Sequence, residues 1–518
     1  MAETDAKGIG KVIFSSSLGT LIEWYDFYIF GMLAKTIAAQ FFPEGNETAA
    51  LLSTLAIFAA GFLVRPFGAL VFGRLGDMIG RKSTFLLTLV LMGGSTFLIG
   101  LVPGYHAIGI AAPLLVLLLR LVQGLALGGE YGGAATYVAE HAPKNRRGYY
   151  TSWIQTTATL GLFVALGVIM VVKSSMTDEA FNSEWGGWRY PFWISVLLVG
   201  VSIYIRLKMS ESPMYSKLKK EGRTSVNPLK ESFGHKGNFK MVLLALFGAV
   251  MGQGVIWYTG QFYAQSFLEN TVKIEFMQNR EILLWGIGLA TPFFLVFGAL
   301  SDKFGRKWIM LGGMLLGVLF YRPIFNTFLK DTNANEWMQD TENLQGADGE
   351  FKLMRTDSTV NKEMQAVFIK HQSRTLVYKG ISFSENLADT LSMDKDGLTV
   401  VKKGKMTYAD KSLTSFLKWK FIGLVFLMIV FVTMAYAPIA AFLVELFPTK
   451  IRYTSMSLPY HIGNGVFGGL VPFIATLLST SFVNDPLVGL WYPIGVAALC
   501  FVIGAFYLTN KIDKNIND

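Results

Sequence analysis

The chain has 518 residues, of which 52 % are hydrophobic and 16 % are charged, and its mean hydropathy is +0.42. This composition excludes a soluble globular protein, because apolar segments of about 20 residues, enough to cross a bilayer core of about 30 Å as a helix, recur along the chain. The formal net charge of +10 does not require a nucleic-acid partner, since basic residues of membrane proteins collect on cytoplasmic loops. The single cysteine, Cys500, excludes a disulfide framework and a thiolate metal cluster, so neither a metal nor a cofactor is expected.

Twelve hydrophobic spans follow one another along the chain, joined by loops of alternating charge. Backbone groups inside a bilayer have to satisfy one another, so the spans are expected to form a helical bundle and not an open sheet. Lys and Arg are concentrated on alternate loops, which predicts a multi-pass protein of the plasma membrane, the bacterial inner membrane, with both termini in the cytoplasm. The predicted spans are 12–39, 48–74, 83–102, 110–140, 149–172, 188–208, 241–268, 282–300, 308–329, 417–446, 454–479 and 488–509.

The chain contains an internal duplication. The ten-residue pattern Gly73–Lys82, between the second and third spans, recurs as Gly298–Lys307 between the eighth and ninth and agrees at six positions. A second landmark, Glu followed by Pro three and Arg seven positions later, begins at Glu140 and again at Glu445. The duplication predicts an all-α membrane protein of twelve transmembrane helices in two six-helix pseudo-symmetric bundles, with substrate bound near the midplane between them.

The two landmarks lie further apart in the second half, because a polar insert of mixed charge occupies 330–412. By parity it joins helices nine and ten on the external face. The runs Thr375–Ser382 and Leu398–Lys402 are typical of strands, and Asp394–Gly397 predicts a hairpin turn, since the third acidic ligand and distal Glu of a calcium loop are missing. The predicted domains are 1–208 (N-terminal bundle), 209–240 (cytoplasmic linker), 241–329 and 413–518 (C-terminal bundle) and 330–412 (insert).

Ionisable residues inside the predicted helices indicate function, because each costs about 2.5–3.5 kcal/mol at a helix centre. Glu23 and Asp26 share a face of helix one, and Glu130 lies in helix four. These three carboxylates are the candidates for proton coupling, with Asp26 and Glu130 preferred, since a carboxylate–arginine pair that opens and closes can couple protonation to conformation. The open alternative is that the buried charges are ion pairs that hold the helices together.

Candidate substrate-binding residues come from both halves. Arg120, Gln123 and Glu130 fall within a wedge of about 80° on helix four, and Arg120 is the preferred anion-binding residue. A polar-aromatic stripe on helix seven is equally consistent with interhelical packing. His461 and Asn464 lie in the first turns of helix eleven, where packing is the favoured interpretation of the histidine. The full candidate set is Arg120, Gln123, Arg65, Tyr25, Gln253, Trp257 and Gln261.

The duplicated pattern predicts a gate where helices emerge into the cytoplasm. Its acidic and basic residues can form ion pairs that latch the two halves together if they are partly buried, and its glycines allow close helix approach. The predicted gating residues are Gly73, Asp77, Gly80, Arg81, Asp302, Gly305 and Arg306.

These motifs resemble the metabolite:proton symporter family of the major facilitator superfamily. The resemblance implies the major facilitator fold and proton-driven uptake of an organic acid, such as 2-oxoglutarate, citrate or shikimate, or of a zwitterionic osmolyte, such as proline or glycine betaine. It further implies that Asp77 and Arg81 serve the gate and that Glu130 and Arg120 line the path. The motifs that carry it are Glu23-Trp24-Tyr25-Asp26-Phe27, Arg65-Pro66-Phe67-Gly68, Gly76-Asp77 with Gly80-Arg81, Gln123-Gly124 with Gly128-Gly129-Glu130-Tyr131-Gly132-Gly133-Ala134, and Phe447-Pro448-Thr449 with Arg452-Tyr453.

Other functions are weighed against symport. A facilitator or exchanger of the same solutes would need the acids only as structural pairs. A membrane sensor would need a cytoplasmic output domain, for which 208–240 and the tail after 509 are too short. A primary pump is not expected without a phosphate-binding loop, nor an enzyme, since the insert holds one histidine, His371, and no cysteine. The expected partners are a small-molecule substrate, a proton and the lipid bilayer, with no nucleic acid, and the chain is expected to be a monomer.

Overall fold

The structure is a computed structural model. Only the backbone is described at 73–79, 81–86, 202, 205–208 and 452–453 and in the strands of the insert, except for Ile381 and residues 412–413. The described residues are 17, 20–22, 24–79, 81–128, 135, 138–139, 142–143, 145–208, 234–333, 352–360, 367–378, 381–394, 397–402, 407–408, 410–447, 452–482 and 484–510.

Within these ranges, helices lie at all twelve predicted positions, and their ends differ from the predicted ones by a few residues except at the start of span one and the end of span four, where part of the predicted span lies outside the described residues. Eight of them, α2, α5 and α7 to α12, are long and apolar enough to cross a bilayer. The helices are α1 (24–41, with a turn at residue 33), α2 (Glu47–Phe72), α3 (Arg81–Ile99), α4 (Ala111–Leu127), α5 (Arg147–Ser174), α6 (Tyr190–Lys208), α7 (Lys236–Thr271), α8 (Phe276–Phe304), α9 (Arg306–Lys330), α10 (Ser415–Leu446), α11 (Thr454–Ser481) and α12 (Val488–Tyr507).

The chain forms two compact units. The insert unit comprises Gln265–Leu283 and Ile324–Leu424, so it unites the insert with the adjoining ends of α7, α8, α9 and α10. The domain boundaries drawn from the sequence stay predictions, and 209–233 of the predicted linker lie outside the described residues. The helical unit comprises Met1–Ala264, Leu284–Pro323 and Val425–Asp518.

The insert carries a six-stranded antiparallel sheet of order β1-β2-β3-β4, in which β5 and β6 pair with other parts of β3. Asp394 pairs with Gly397, which confirms the predicted hairpin. The prediction of one strand over Thr375–Ser382 is wrong, because Tyr378 pairs with Ile381 and the chain reverses between them. The sequence signal for a turn was the glycine of Lys379-Gly380, but the alternation of side chains favoured a continuous strand. The strands are β1 (Lys352–Val360), β2 (Val367–Tyr378), β3 (Ile381–Asp394), β4 (Gly397–Lys402), β5 (Thr407–Tyr408) and β6 (Ser412–Leu413).

The root of the insert, residues 410–414, is bonded to the turn between α7 and α8. The Lys411 N–H donates to Lys273 O at 2.6 Å, and the Glu275 N–H donates to Lys411 O at 2.9 Å. The Gln278 side chain accepts from the Leu413 N–H at 2.6 Å and donates to Leu413 O at 3.1 Å. The sheet is therefore anchored by a strand-like ladder at its base. The apolar side chains buried around this ladder are Ile274, Ile381 and Leu413.

The root is expected to gain stability with rising pH through Lys411. Its Nζ donates to Thr332 O at 2.6 Å, and burial together with nearby Lys273 lowers the pKa of Lys411 from 10.5 to about 8. Between these two values the unfolded chain holds a proton that the folded root has released, so folding is favoured increasingly as pH rises through this window. We expect residues 410–414 to be protected from hydrogen exchange more strongly in the wild type than in Lys411→Met by a margin that increases from pH 8 to 10.5. Lys303→Met, at an exposed lysine of α8, is the control, and a pH-independent difference would contradict the prediction.

Candidate functional site

Arg65 lies at the meeting of the two halves of the helical unit, and aromatic rings surround it. Its guanidinium carbon is 4.1 Å from the ring centre of Phe62, 4.3 Å from that of Phe27 and 5.4 Å from that of Trp24. Its side chain is buried, and among the described residues neither Nε nor Nη2 has a hydrogen-bond partner. Cation–π contacts stabilise this charge, and Nε and Nη2 have no acceptor within the described part of the chain.

Arg120, in contrast, uses both terminal nitrogens within the protein and leaves only Nε without a partner in the described chain. Its Nη1 donates to Gln123 Oε1, and its Nη2 donates to Phe58 O at 3.5 Å. Gln123 in turn donates to Thr96 Oγ1 at 2.8 Å and to Asp26 O at 3.1 Å. The two residues face the same side, as the helical spacing predicts, but they form a network that ties α4 to α1, α2 and α3. The geometry therefore favours Arg65 as the anion-binding residue.

Asp26 is completely buried, and neither carboxylate oxygen has a hydrogen-bond partner within the described ranges. The other candidate acids, Glu23 and Glu130, lie outside the described residues. Among the ion pairs of the described residues, none joins Asp26 to Arg65 or Arg120. The interpretation of these charges as structural ion pairs thus has no support in this part of the chain.

In the second half, the helix-seven stripe lies inside the protein. Gln253 Oε1 accepts from Asn464 Nδ2 at 2.9 Å, but Gln253 Nε2 and both polar atoms of Gln261 have no partner in the described chain. The Trp257 ring lies 6.5 Å from that of Trp24 and so reaches the first half. The segments of α7 and α11 that hold Gln261 and Asn464 are π-helical, a conformation frequent at functional sites that the spacing did not reveal.

One candidate has a structural contact instead. The Tyr25 hydroxyl donates to Pro191 O of α6 at 2.9 Å, so it ties α1 to α6. For His461, the sequence favoured a packing role. Both ring nitrogens of this buried residue lack a hydrogen-bond partner among the described residues. The available signal was the histidine's position within a span, and only the structure shows that the ring is unbonded.

At one end of the helical unit, the second copy of the duplicated pattern joins the halves. Asp302 Oδ1 accepts from the Gly148 N–H at 2.8 Å, and Oδ2 accepts from the Tyr149 N–H at 2.9 Å. These N–H groups belong to the first turn of α5, where a carboxylate is stabilised by the helix dipole. Arg306 bonds Asp302 at 2.7 Å and Glu445 at 2.9 Å, and all three side chains are at most 8 % exposed. We call these five residues the latch; removing one partner of such a buried pair costs about 3–5 kcal/mol.

Glycines make the latch possible. Gly305 ends α8 with a φ of +92°, a conformation that favours glycine. Gly148 and Glu445 were not among the predicted gating residues, although Glu445 begins the second duplicated landmark. Of the candidates in the first half, Gly80 and the side chains of Asp77 and Arg81 lie outside the described residues, and Gly73 lies within the helical stretch Arg65–Ile79.

Comparisons with known proteins agree with this architecture. A family model described as "Sugar (and other) transporter" matches residues 12–341. The inner membrane metabolite transport protein YhjE of Escherichia coli K12 is 32 % identical over 480 residues, which cover 91 % of this chain and 88 % of that protein.

Two further relatives from the same strain carry substrates in their names. The alpha-ketoglutarate permease is 38 % identical over 314 residues, covering 61 % of this chain and 71 % of the permease. The proline/betaine transporter is 35 % identical over 323 residues, covering 60 % and 63 %.

A solved structure of the major facilitator proton:xylose symporter XylE, bound to 6-bromo-6-deoxy-D-glucose, superposes with a TM-score of 0.63 at 15 % identity. The match covers 97 % of this chain and 96 % of that one. The partially occluded, inward-open form of XylE from E. coli superposes with a TM-score of 0.59 at 15 % identity, over 98 % and 99 %. This likeness confirms the predicted fold of twelve helices in two six-helix bundles.

Gly148→Ala is expected to keep the latch open. A Cβ at this position would lie 2.5 Å from Gly298 O and 2.5 Å from Ser301 Oγ, so α5 could not approach α8. Labelling of Ser152→Cys, at the same helix contact, by a membrane-impermeant maleimide in inside-out vesicles should accelerate severalfold, and substrate uptake should fall. Gly167→Ala is the matched control on α5, since no atom lies within 4 Å of its new Cβ. Equal labelling in both variants would show that this contact does not close the latch.

Proposed function

Since the chain belongs to the sugar (and other) transporter family and is therefore a membrane transporter and not an enzyme, we propose that it is a proton-coupled symporter that imports a small carboxylate-bearing metabolite by alternating access. The family resemblance drawn from the motifs is confirmed. The substrate is an organic acid or a zwitterionic osmolyte, and the alpha-ketoglutarate permease and the proline/betaine transporter support both classes.

The observation that carries this proposal is a surplus of unbonded donors around Arg65. Arg65 lies within electrostatic range of the Tyr28 and Tyr258 hydroxyls. A buried donor without an acceptor is costly, so a cluster of them favours a ligand rich in acceptor atoms. A carboxylate, with two acceptor oxygens and one charge, fits this description. The pure donors without a partner in the described chain are Arg65 Nε and Nη2, Trp257 Nε1 and Gln253 Nε2. The hydroxyls of Tyr258, beside Arg65, and of Tyr28, beside Trp257, can accept from these groups as well as donate.

Asp26 is the proposed proton carrier. Burial of an ionised carboxylate without a partner is strongly unfavourable, whereas the protonated acid is neutral. A carboxylate that is charged when the site is open and neutral when it is closed takes up a proton on each inward cycle. The naming of XylE as a proton:xylose symporter shows that this fold accommodates such coupling in another protein.

Contacts between the two halves support an occluded intermediate. The latch closes one end, which we place in the cytoplasm, with the N- and C-termini, because of the charge on its loops. Towards the other end, the Phe262 ring lies against Gly31 and 5.2 Å from the ring of Phe58, and Phe62 lies 5.0 Å from Tyr258. We propose that these two layers open alternately, in a monomer of the bacterial inner membrane.

Asp26→Asn is expected to abolish proton-driven accumulation while solute exchange continues, because asparagine fills the same space but carries no proton. Charge movement and counterflow would be measured in proteoliposomes with 2-oxoglutarate, citrate, proline and glycine betaine. Asp178→Asn is the control, since Asp178 is an acid with an 85 % exposed side chain. Wild-type flux that does not respond to a pH gradient would identify a proton-independent facilitator instead.

Arg65→Gln is expected to raise the KM for the transported carboxylate about 10- to 100-fold, the loss of a hydrogen bond to a charged group. Arg65→Lys should restore little, because an ammonium lacks the planar fork of the guanidinium. Arg322→Gln, at an arginine of α9 with a 37 % exposed side chain, is the control. Unchanged KM in Arg65→Gln would exclude Arg65 as the anion-binding residue.

A further inference from the structure

His461 occupies a junction between the two halves of the helical unit. It is the last residue of the helical stretch Arg452–His461 and precedes the π-helical segment Ile462–Gly468 of α11. Its side chain is only 2 % exposed. From the second half, its ring lies near the Gly128 carbonyl at the end of α4, in a contact that does not reach hydrogen-bond geometry, and within electrostatic range of Arg65 on α2. α11 packs directly on α2 here, since a Cβ at Gly465 would lie 2.8 Å from Phe62 O.

The packing of His461 does not satisfy its polar atoms. The ring makes an edge contact with Tyr460, with centroids 5.4 Å apart, and this contact involves neither nitrogen in a hydrogen bond. The hydroxyl of Tyr460 is itself engaged with that of Tyr436 at 2.6 Å. Nδ1 and Nε2 thus remain without a hydrogen-bond partner in the described part of the chain, although a neutral imidazole carries one N–H donor and one acceptor.

The donors that face one another here come from opposite halves. Arg65 contributes unbonded N–H groups from the first half, and His461 contributes an unbonded ring from the second. A neutral ring offers these N–H groups one acceptor nitrogen at most, and among the described ion pairs none involves Arg65, so an anion with two oxygens would complete the bonds of both residues. We propose that His461 is a substrate-binding residue that, together with Arg65, binds the same substrate carboxylate, so that the anion bridges the two halves in the closed state.

This inference rests on the proposed carboxylate transport and adds a mechanical consequence. Arg65 can bind the anion while the halves are apart, but His461 reaches it only when α11 approaches α2. The bond to His461 therefore forms on closure and stabilises the closed state. An interaction that forms only late in the transport cycle increases kcat more than it increases the initial affinity for the substrate.

The test compares His461→Leu, which keeps the bulk, with His461→Gln, which keeps an N–H donor. Probes are 2-oxoglutarate and proline, with prolinamide as an analogue of proline that lacks the carboxylate. We expect His461→Leu to lower kcat for the transported carboxylate about tenfold or more with a smaller change in KM, and His461→Gln to recover part of it. Thr476→Val, a buried and nearly isosteric change further along α11, is the matched control.

A double-mutant cycle decides whether the two residues act on one group. If both bind the same carboxylate, Arg65→Gln/His461→Leu should be no worse than the more impaired single variant, whereas independent roles would make the effects multiply. If the wild type transports a carboxylate and His461→Leu is as active as Thr476→Val, the inference about His461 is overturned and the proposed function is not. If His461→Leu does not fold, His461→Gln decides the question. The inference would then be overturned if folded His461→Gln were fully impaired and its effect multiplied with that of Arg65→Gln. Absence of carboxylate transport in the wild type would instead overturn the proposed function.

Discussion

A polar atom buried inside a membrane protein has no water with which to bond, and this constraint organises the centre of the structure. Phe27 shows how it is met, because the guanidinium groups of Arg65 and Arg120 both stack on its ring, at 4.3 and 4.1 Å. Arg120 bonds Gln123 and a carbonyl oxygen and leaves Nε without a partner in the described chain, whereas Arg65 leaves both Nε and Nη2. Two arginines of the same burial thus differ in the number of their unbonded donors, and we expect Arg120 to be structural and Arg65 to be available to a ligand.

The same constraint explains the latch. Asp302 lies between the first-turn N–H groups of α5 and the guanidinium of Arg306, so a buried carboxylate has partners on both sides. Each bond to α5 crosses from one half to the other and breaks when the halves separate. Since the partners are ionic and polar, they can be hydrated in the open state. Opening therefore replaces hydrogen bonds within the protein by hydrogen bonds to water. A purely apolar contact could not be exchanged for water in this way.

The twelve helices could be predicted from the sequence because bilayer thickness imposes a length of about 20 apolar residues, which composition alone reveals. The pairing of Arg120 with Gln123 was predicted as a shared face, since that follows from helical periodicity. Periodicity does not say what lies opposite, so the contact of Tyr25 with α6 and the unbonded ring of His461 required the structure. The π-helical segments and the reversal between β2 and β3 depend on local backbone choices that hydrophobic alternation does not record.

The unbonded donors and the latch together indicate how loading and closing are coupled. If Asp26 and Arg65 were paired with each other, the empty site would be electrostatically satisfied and could close without cargo. Among the described residues they are not paired with each other, and a buried cation, an acid and several N–H groups have no partner in this part of the chain. A carboxylate supplies the acceptor for the cation, and a proton neutralises the acid. In the proposed mechanism the latch keeps the site closed only when both have been bound, which is the requirement for symport.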